Sequence, residues 1–466
     1  MQRWKMTAGL TGLALVAIAV APRLTAALQA ATPAPPPAAP ERATPAPPPA
    51  EPSVPSGHLD VRVRLDQSAA VAHRTSERFV TIDVRAPGVD GRNARRPVDL
   101  AVVLDTSGSM NEGKLDQAKR ATRRLAESMG PDDTFSLVTF ADRARVVVGS
   151  GPADVAGLDR VLDRVWDYGG TNLYQGMTVA AEQVARRPEA VQRLVVLSDG
   201  QPTTGRKDDA SFERLATELA SQGVGVSTVG LGLDFNEDLL ASLADLGGGT
   251  YDFVGDAVDL TPVFAEELQH TSTVLARDTR VQLELPDGLD GLEIIGWSAT
   301  RSSGGWSVYL GDVAAGSHTR IVAKVEVRDD ADLGPLDVRA SATYLDLIDG
   351  QRARTDDQAT LAVTADARVV AASVDPEASA VARRAYGNWY LLKSTRAYAE
   401  GKADAAPLLR AGRQVIEEAA RFDPEVSRDL ERFDATRQLI DEVSPSHPSA
   451  RQRIKANKER YRAVFR

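Results

Sequence analysis

The chain contains no cysteine. That absence excludes disulfides, thiolate metal sites, a cysteine nucleophile and lipid attachment at a lipobox cysteine, and it leaves the compartment open. Histidines are few: His58, His73, His270, His318 and His447 are scattered with no ligand spacing and read as surface or core residues. No serine lies in a nucleophile-elbow pattern, and there is no phosphate-binding P-loop and no metal-ligand histidine pair. Hydrolase chemistry therefore has no visible constellation. After residue 21 no apolar run approaches the ~20 residues that span a bilayer, so channel activity is not supported. Basic excess is missing too: 65 acidic against 55 basic side chains give a net charge of −10. Such a chain offers a phosphate backbone no general attraction, which argues against nucleic acid as a partner.

What is present is soluble globular protein, 43% hydrophobic and 26% charged over 466 residues, long enough for two or three domains plus linkers. Arg3 and Lys5 precede an apolar run from about Met6 to Ala21, the layout of an export signal. Pro22 follows the small residues Ala19 and Ala21 and is poorly placed for cleavage there, with Ala27 and Ala30 as alternatives. Residues 1–30 are thus expected to be a signal peptide or an N-terminal membrane anchor, the one route to a membrane. The folded part is expected in the periplasm or cell envelope, or secreted. Residues 31–56 are rich in Pro and Ala and repeat ATPAPPPA at 31–38 and 43–50, which favours an extended polyproline II tether.

Period-2 alternation of Val61, Val63 and Leu65, then of Val80, Ile82 and Val84, predicts β-strands within 57–95. From Val98 to Leu104 the near-continuous apolar run VDLAVVL is that of a strand covered on both faces. Similar runs at 135–140, 194–197 and 224–229 alternate with helical spacing such as Leu115, Ala118, Ala121 or Thr122, Leu125 and Met129. The expectation for 96–275 is a doubly wound, mostly parallel α/β domain. Alternation resumes through 276–366 and predicts a β-sandwich, with the strands before Pro97 belonging to it and the α/β domain inserted. Residues 375–466 read as a helical region of three or four helices. Its last stretch, Arg451–Arg466, carries seven basic side chains against Glu459 alone and reads as a solvated helix face, or as a reach toward anionic lipid or an acidic partner.

The segment DTSGSM, Asp105–Met110, falls where the first buried strand ends and a helix begins, the place where open α/β sheets bind ligands. Asp105 offers a carboxylate, and Ser107 and Ser109 offer hydroxyls from a turn that Gly108 permits. GGTN at 169–172 exposes Thr171 at an equivalent junction, and SDG at 198–200 exposes Asp199. Such hard oxygens suit Mg²⁺ or Mn²⁺, with Ca²⁺ admitted, rather than zinc or copper. Asp105 with Ser107 alone would be a helix N-cap, and Asp199-Gly200 alone a turn; it is their joint occurrence that points to metal.

With its downstream context GKLDQAK and VGLGLDFNEDLLASLADLGGGTYDFV, this pattern resembles a von Willebrand factor A domain with a complete metal-ion-dependent adhesion site, of the bacterial exported type. The resemblance covers roughly Pro97 to Leu275. It implies Ser107 and Ser109 as hydroxyl ligands, Thr171 as the ligand that engages in the open state, and Asp105 and Asp199 as carboxylates acting directly or through water. It further implies a protein partner presenting Asp or Glu, and an adhesion or scaffold protein rather than an enzyme. The alternatives are a regulatory or structural subunit of an envelope complex, or a metal-dependent hydrolase. Trp166, Tyr168 and Tyr174 flank Thr171 and read either as a recognition rim or as core.

Overall fold

The computed structural model describes residues 57–88, 95–184, 187–255, 260–302 and 305–465, so the apolar start and the Pro/Ala tether lie outside the described residues. Three strands come first, β1 (Asp60–Leu65), β2 (Ala69–Val71) and β3 (Ser76–Arg85). The α/β unit then runs β4 (Val98–Asp105), α1 (Lys114–Glu127), β5 (Thr134–Phe140), β6 (Ala144–Gly151), α2 (Val155–Leu162) and α3 (Leu173–Gln183). It continues through β7 (Val191–Ser198), α4 (Asp209–Ser221), β8 (Val224–Leu231), α5 (Glu237–Gly247), β9 (Gly248–Val254) and α6 (Thr261–Ser272).

Its sheet has the order β6-β5-β4-β7-β8-β9, parallel except for the edge strand β6. Every residue of β4, β7 and β8 is buried, because helices cover both faces: α1, α2 and α6 on one, α3, α4 and α5 on the other. Leu115, Ala118, Ala121, Thr122 and Leu125 turn inward on α1 as their spacing predicts. Chain order reverses on either side of β4, so the carboxyl ends of β4 and β7 border the switch point where such sheets bind ligands.

Seven more strands follow: β10 (Val274–Glu284), β11 (Leu289–Ile295), β12 (Ala299–Ser302), β13 (Gly305–Ala314), β14 (His318–Val327), β15 (Gly334–Asp346) and β16 (Gln351–Thr364). They form two sheets, β1-β3-β14-β11 and β12-β13-β10-β15-β16-β2, around one apolar core. β3 pairs antiparallel with β14 over ten residues, Ser76 to Arg85, so strands before and after the α/β unit share one sandwich and the unit is inserted between them. Its border falls at Thr273, since Val274 and Leu275 already belong to β10.

Arg193 of β7 is fully buried where the two units meet. It donates to Asp312 on β13 at 3.0 Å and to the Gly248 carbonyl at 3.3 Å, with Glu267 of α6 at 3.5 Å. Glu267 in turn accepts from Ser227, Thr250 and Thr271, which hold its carboxylate beside the buried cation.

The C-terminal region comprises α7 (Ala367–Ala372), α8 (Pro376–Ala399), α9 (Ala405–Ala419), α10 (Leu430–Glu442) and α11 (Pro448–Ala463). Among the described residues no helix is long and apolar enough to cross a membrane. The reading of the basic end as a free, solvated face is overturned. Ile454, Tyr461 and Phe465 are buried, the Phe465 carbonyl accepts from Arg320 N–H of β14 at 2.8 Å, and its ring packs under Gly296. Three of its charges are paired inside the molecule. Arg451 pairs with Asp234, Lys458 with Glu237 and Asp238, and Arg462 with Asp245, all on α5 or the loop before it.

Candidate metal centre

Three strand-to-helix junctions meet at the carboxyl edge of β4 and β7. Asp105 ends β4 and is fully buried; its Oδ1 accepts from Ser107 N–H at 2.8 Å and its Oδ2 from Ser198 Oγ at 2.6 Å. Ser107 Oγ lies 3.0 Å from Ser109 Oγ, which donates to Asp199 Oδ1 at 2.7 Å. Asp199, at the end of β7, is also fully buried.

Thr171 reaches the same point from the loop before α3. Asn172 caps that helix by accepting from Gln175 N–H, which fixes the residue before it. Thr171 N–H donates to Thr203 Oγ1 at 2.8 Å, and its carbonyl accepts from Thr203 and Thr204, on the loop after Asp199. Two further bonds stitch the loops together, Tyr168 N–H to the Thr106 carbonyl at 2.8 Å and Gly108 N–H to the Gly169 carbonyl at 3.1 Å. A methyl group placed on Gly200 would sit 3.3 Å from Ser109 Oγ and 3.6 Å from Thr171 Oγ1, so glycine there keeps the cradle open. All five residues singled out in the sequence, Asp105, Ser107, Ser109, Thr171 and Asp199, are thus brought together at this edge, with Ser109 the exposed one of the five.

Electrostatically this is an uncomfortable place for the Asp105 carboxylate. Burial pushes Asp105 up to about 6; hydrogen bonds from Ser198 and Ser107 oppose that rise, and the neighbouring Asp199 charge adds to it. Buried carboxylates beside serine and threonine hydroxyls are the oxygen donors that suit a hard divalent cation.

Residues 99–265 match the sequence profile described as the von Willebrand factor type A domain. These residues form a von Willebrand factor type A domain. The chain is 28% identical over 222 residues to the uncharacterised protein sll0103 of Synechocystis, covering 47% of this chain and 52% of that one. It is 25% identical over 234 residues to the uncharacterised protein YfbK of Escherichia coli, covering 48% and 41%. The chain therefore spans about half the length, or less, of these relatives. A solved von Willebrand factor type A protein from Catenulispora acidiphila superposes with a TM-score of 0.65 at 18% identity, covering 86% of this chain and 97% of that one. The likeness in fold therefore extends beyond the A domain into the sandwich and the helices.

Two features were missed in the sequence. Lys114, inside the GKLDQAK segment, places Nζ 2.8 Å from Asp199 Oδ2 and 3.3 Å from the Ser109 carbonyl. His58, read as isolated, lies with Asp346 and Asp349 so that one ligand atom from each falls within 4.8 Å of the others. This trio could also hold an ion, yet Asp346 is already engaged: it accepts from the His58 backbone and ring and from Ile348 N–H. Burial would raise its pKa, and those bonds outweigh burial and hold it below the ordinary value. The trio serves as a clasp between the approach to β1 and the end of β15. Trp166 is 63% exposed and its ring lies tilted against Tyr168 with centroids 6.3 Å apart, so it stands at the rim and not in the core; Tyr174 packs edge-on against Phe212.

Proposed function

We propose that the A domain binds one Mg²⁺ or Mn²⁺ through Asp105, Ser107, Ser109, Thr171 and Asp199 and uses it to grip a carboxylate of a protein partner, as an adhesion or scaffold protein and not as an enzyme. The observation that carries this reading is the convergence of five oxygen-bearing side chains, two of them buried carboxylates, at the switch point of the sheet. Domains of this type mediate protein–protein contacts, which agrees with the reading. The bound ion supplies an electrophilic point for a carboxylate oxygen. Asp105 and Asp199 balance its charge, the serines complete the shell, and Thr171, whose backbone is tied to the Asp199 loop, presents its hydroxyl beside the incoming group. Around the pocket the titratable groups are held in hydrogen bonds, and the arrangement has the character of a binding site.

Peptides carrying a central Asp or Glu, compared with Asn or Gln in the same position, test the grip. Capture should require Mn²⁺, disappear with EDTA and disappear when the acid becomes an amide. Thr171→Ala should weaken that capture about tenfold or more while changing Mn²⁺ affinity of the free protein by less than about threefold. Equal capture of acid and amide peptides would refute the grip.

The proposed placement outside the cytoplasm is supported by the charged start and apolar run of residues 1–30, followed by the Pro-rich tether. A topology reporter fused after Pro55 is expected to be active outside the cytoplasm. Activity confined to the cytoplasm would contradict it.

A further inference from the structure

We propose that Lys114 is the internal cation of this site: it holds Asp199 in the metal-free domain and competes with the divalent ion for that carboxylate. The inference rests on the metal reading above. Asp199 is fully buried, and its two oxygens are divided between two donors, Ser109 Oγ at 2.7 Å and Lys114 Nζ at 2.8 Å. Lys114 is itself 85% buried at the side chain, its exposure being 15%, so this is not a surface ion pair that water dissolves. The backbone is bent to deliver it. Glu112 and Gly113 both have positive φ, 56° and 87°, and α1 starts at Lys114 immediately after that turn. A non-glycine residue in the left-handed region costs conformational energy and is kept where the surroundings demand it. Here the demand is an ammonium at the mouth of the pocket.

The consequences follow from charge. Without an ion, two buried carboxylates face one ammonium, and the pair Lys114–Asp199 offsets part of the repulsion between Asp105 and Asp199. When a divalent ion arrives it must take Asp199 away from the lysine or share it, so the lysine weakens the ion's hold. Two carboxylates, one ammonium and a divalent ion together leave one positive charge, which an incoming partner carboxylate neutralises. Without the lysine the loaded site would be neutral and less drawn to that carboxylate. Lys114 thus trades tightness toward the ion for attraction toward an acidic partner.

Calorimetric titration of Mn²⁺ into the EDTA-stripped full chain tests this with wild type, Lys114→Met and Lys114→Arg. Lys114→Met should bind Mn²⁺ at least about tenfold more tightly than wild type and melt lower in EDTA, whereas Lys114→Arg should stay within about threefold of wild type. Lys114→Gln, which keeps hydrogen-bonding atoms and loses the charge, should move with Lys114→Met and serves if the Met variant does not fold. Wild type that binds Mn²⁺ beside uncharged variants that bind it no more tightly overturns this inference and leaves the metal reading standing. If neither wild type nor any variant takes up Mn²⁺, the metal reading fails and this inference fails with it.

Discussion

Replacing Asp105 by Asn should stabilise the metal-free protein and remove its response to Mn²⁺. Both halves come from the same burial. In the folded protein Asp105 holds its proton up to about 6 against an ordinary 3.8, because its charged form has left water and faces Asp199. Folded protein therefore binds more protons than unfolded chain between those two values, and the stability tied to this group is present at low pH and lost as pH rises from about 4 through 6. The shift corresponds to ~3 kcal/mol. Asn carries no charge, so the stability difference between Asp105→Asn and wild type, both in EDTA, should grow by about that amount from pH 4 to pH 7 and then level off. Taking the difference cancels the other carboxylates, many of which act in the opposite direction. With Mn²⁺ the order reverses: wild type gains stability by mass action, while the variant, lacking a carboxylate at the ion, should bind it about a hundredfold more weakly or not at all. Urea denaturation at several pH values, with EDTA or Mn²⁺, measures both. A difference that does not change with pH would remove the electrostatic account of this residue.

The second large effect is expected in the C-terminal helices. Truncation at Ala450 should destabilise the whole described assembly by ~5 kcal/mol or more, since it strips Ile454, Tyr461 and Phe465 from buried positions at roughly 1.5–3 kcal/mol each. It also uncovers Phe79, Ile295 and Val322 of the sandwich, which pack in one cluster with Tyr461 and Phe465. It further leaves Glu237, itself 8% exposed, without Lys458. Phe465→Ala is the milder version and should cost about 3–5 kcal/mol. Circular dichroism melts of the two variants check this, and a truncated protein that melts like wild type would show that α11 contributes nothing to the core.

The A-domain sheet and the convergence of the five oxygen-bearing side chains were legible because their signals are local. VDLAVVL is apolar on both faces because helices cover both faces of β4, and DTSGS, GGTN and SDG each announce a tight turn at a strand end. What could not be read depends on meetings across long stretches of chain. His58 and Asp346 are 288 residues apart, and Arg451 and Asp234 are 217 apart. The excess of positive charge in the tail was visible, but the acidic face of α5 that absorbs it reads as an ordinary amphipathic helix until the packing places the two together. Lys114 lay within a segment noted for its likeness to the family. Its direction depends on the positive φ of Glu112 and Gly113, which no side-chain pattern announces.

The central claim is that these five residues hold a single divalent ion. Electron paramagnetic resonance of free Mn²⁺, titrated with the EDTA-stripped full chain, tests it directly. The account predicts that the free-ion signal falls until one Mn²⁺ is bound per chain, that excess Mg²⁺ restores it, and that Asp105→Asn and Asp199→Ala leave it nearly undiminished. An unchanged signal with wild type, or equal uptake by wild type and both variants, would contradict it.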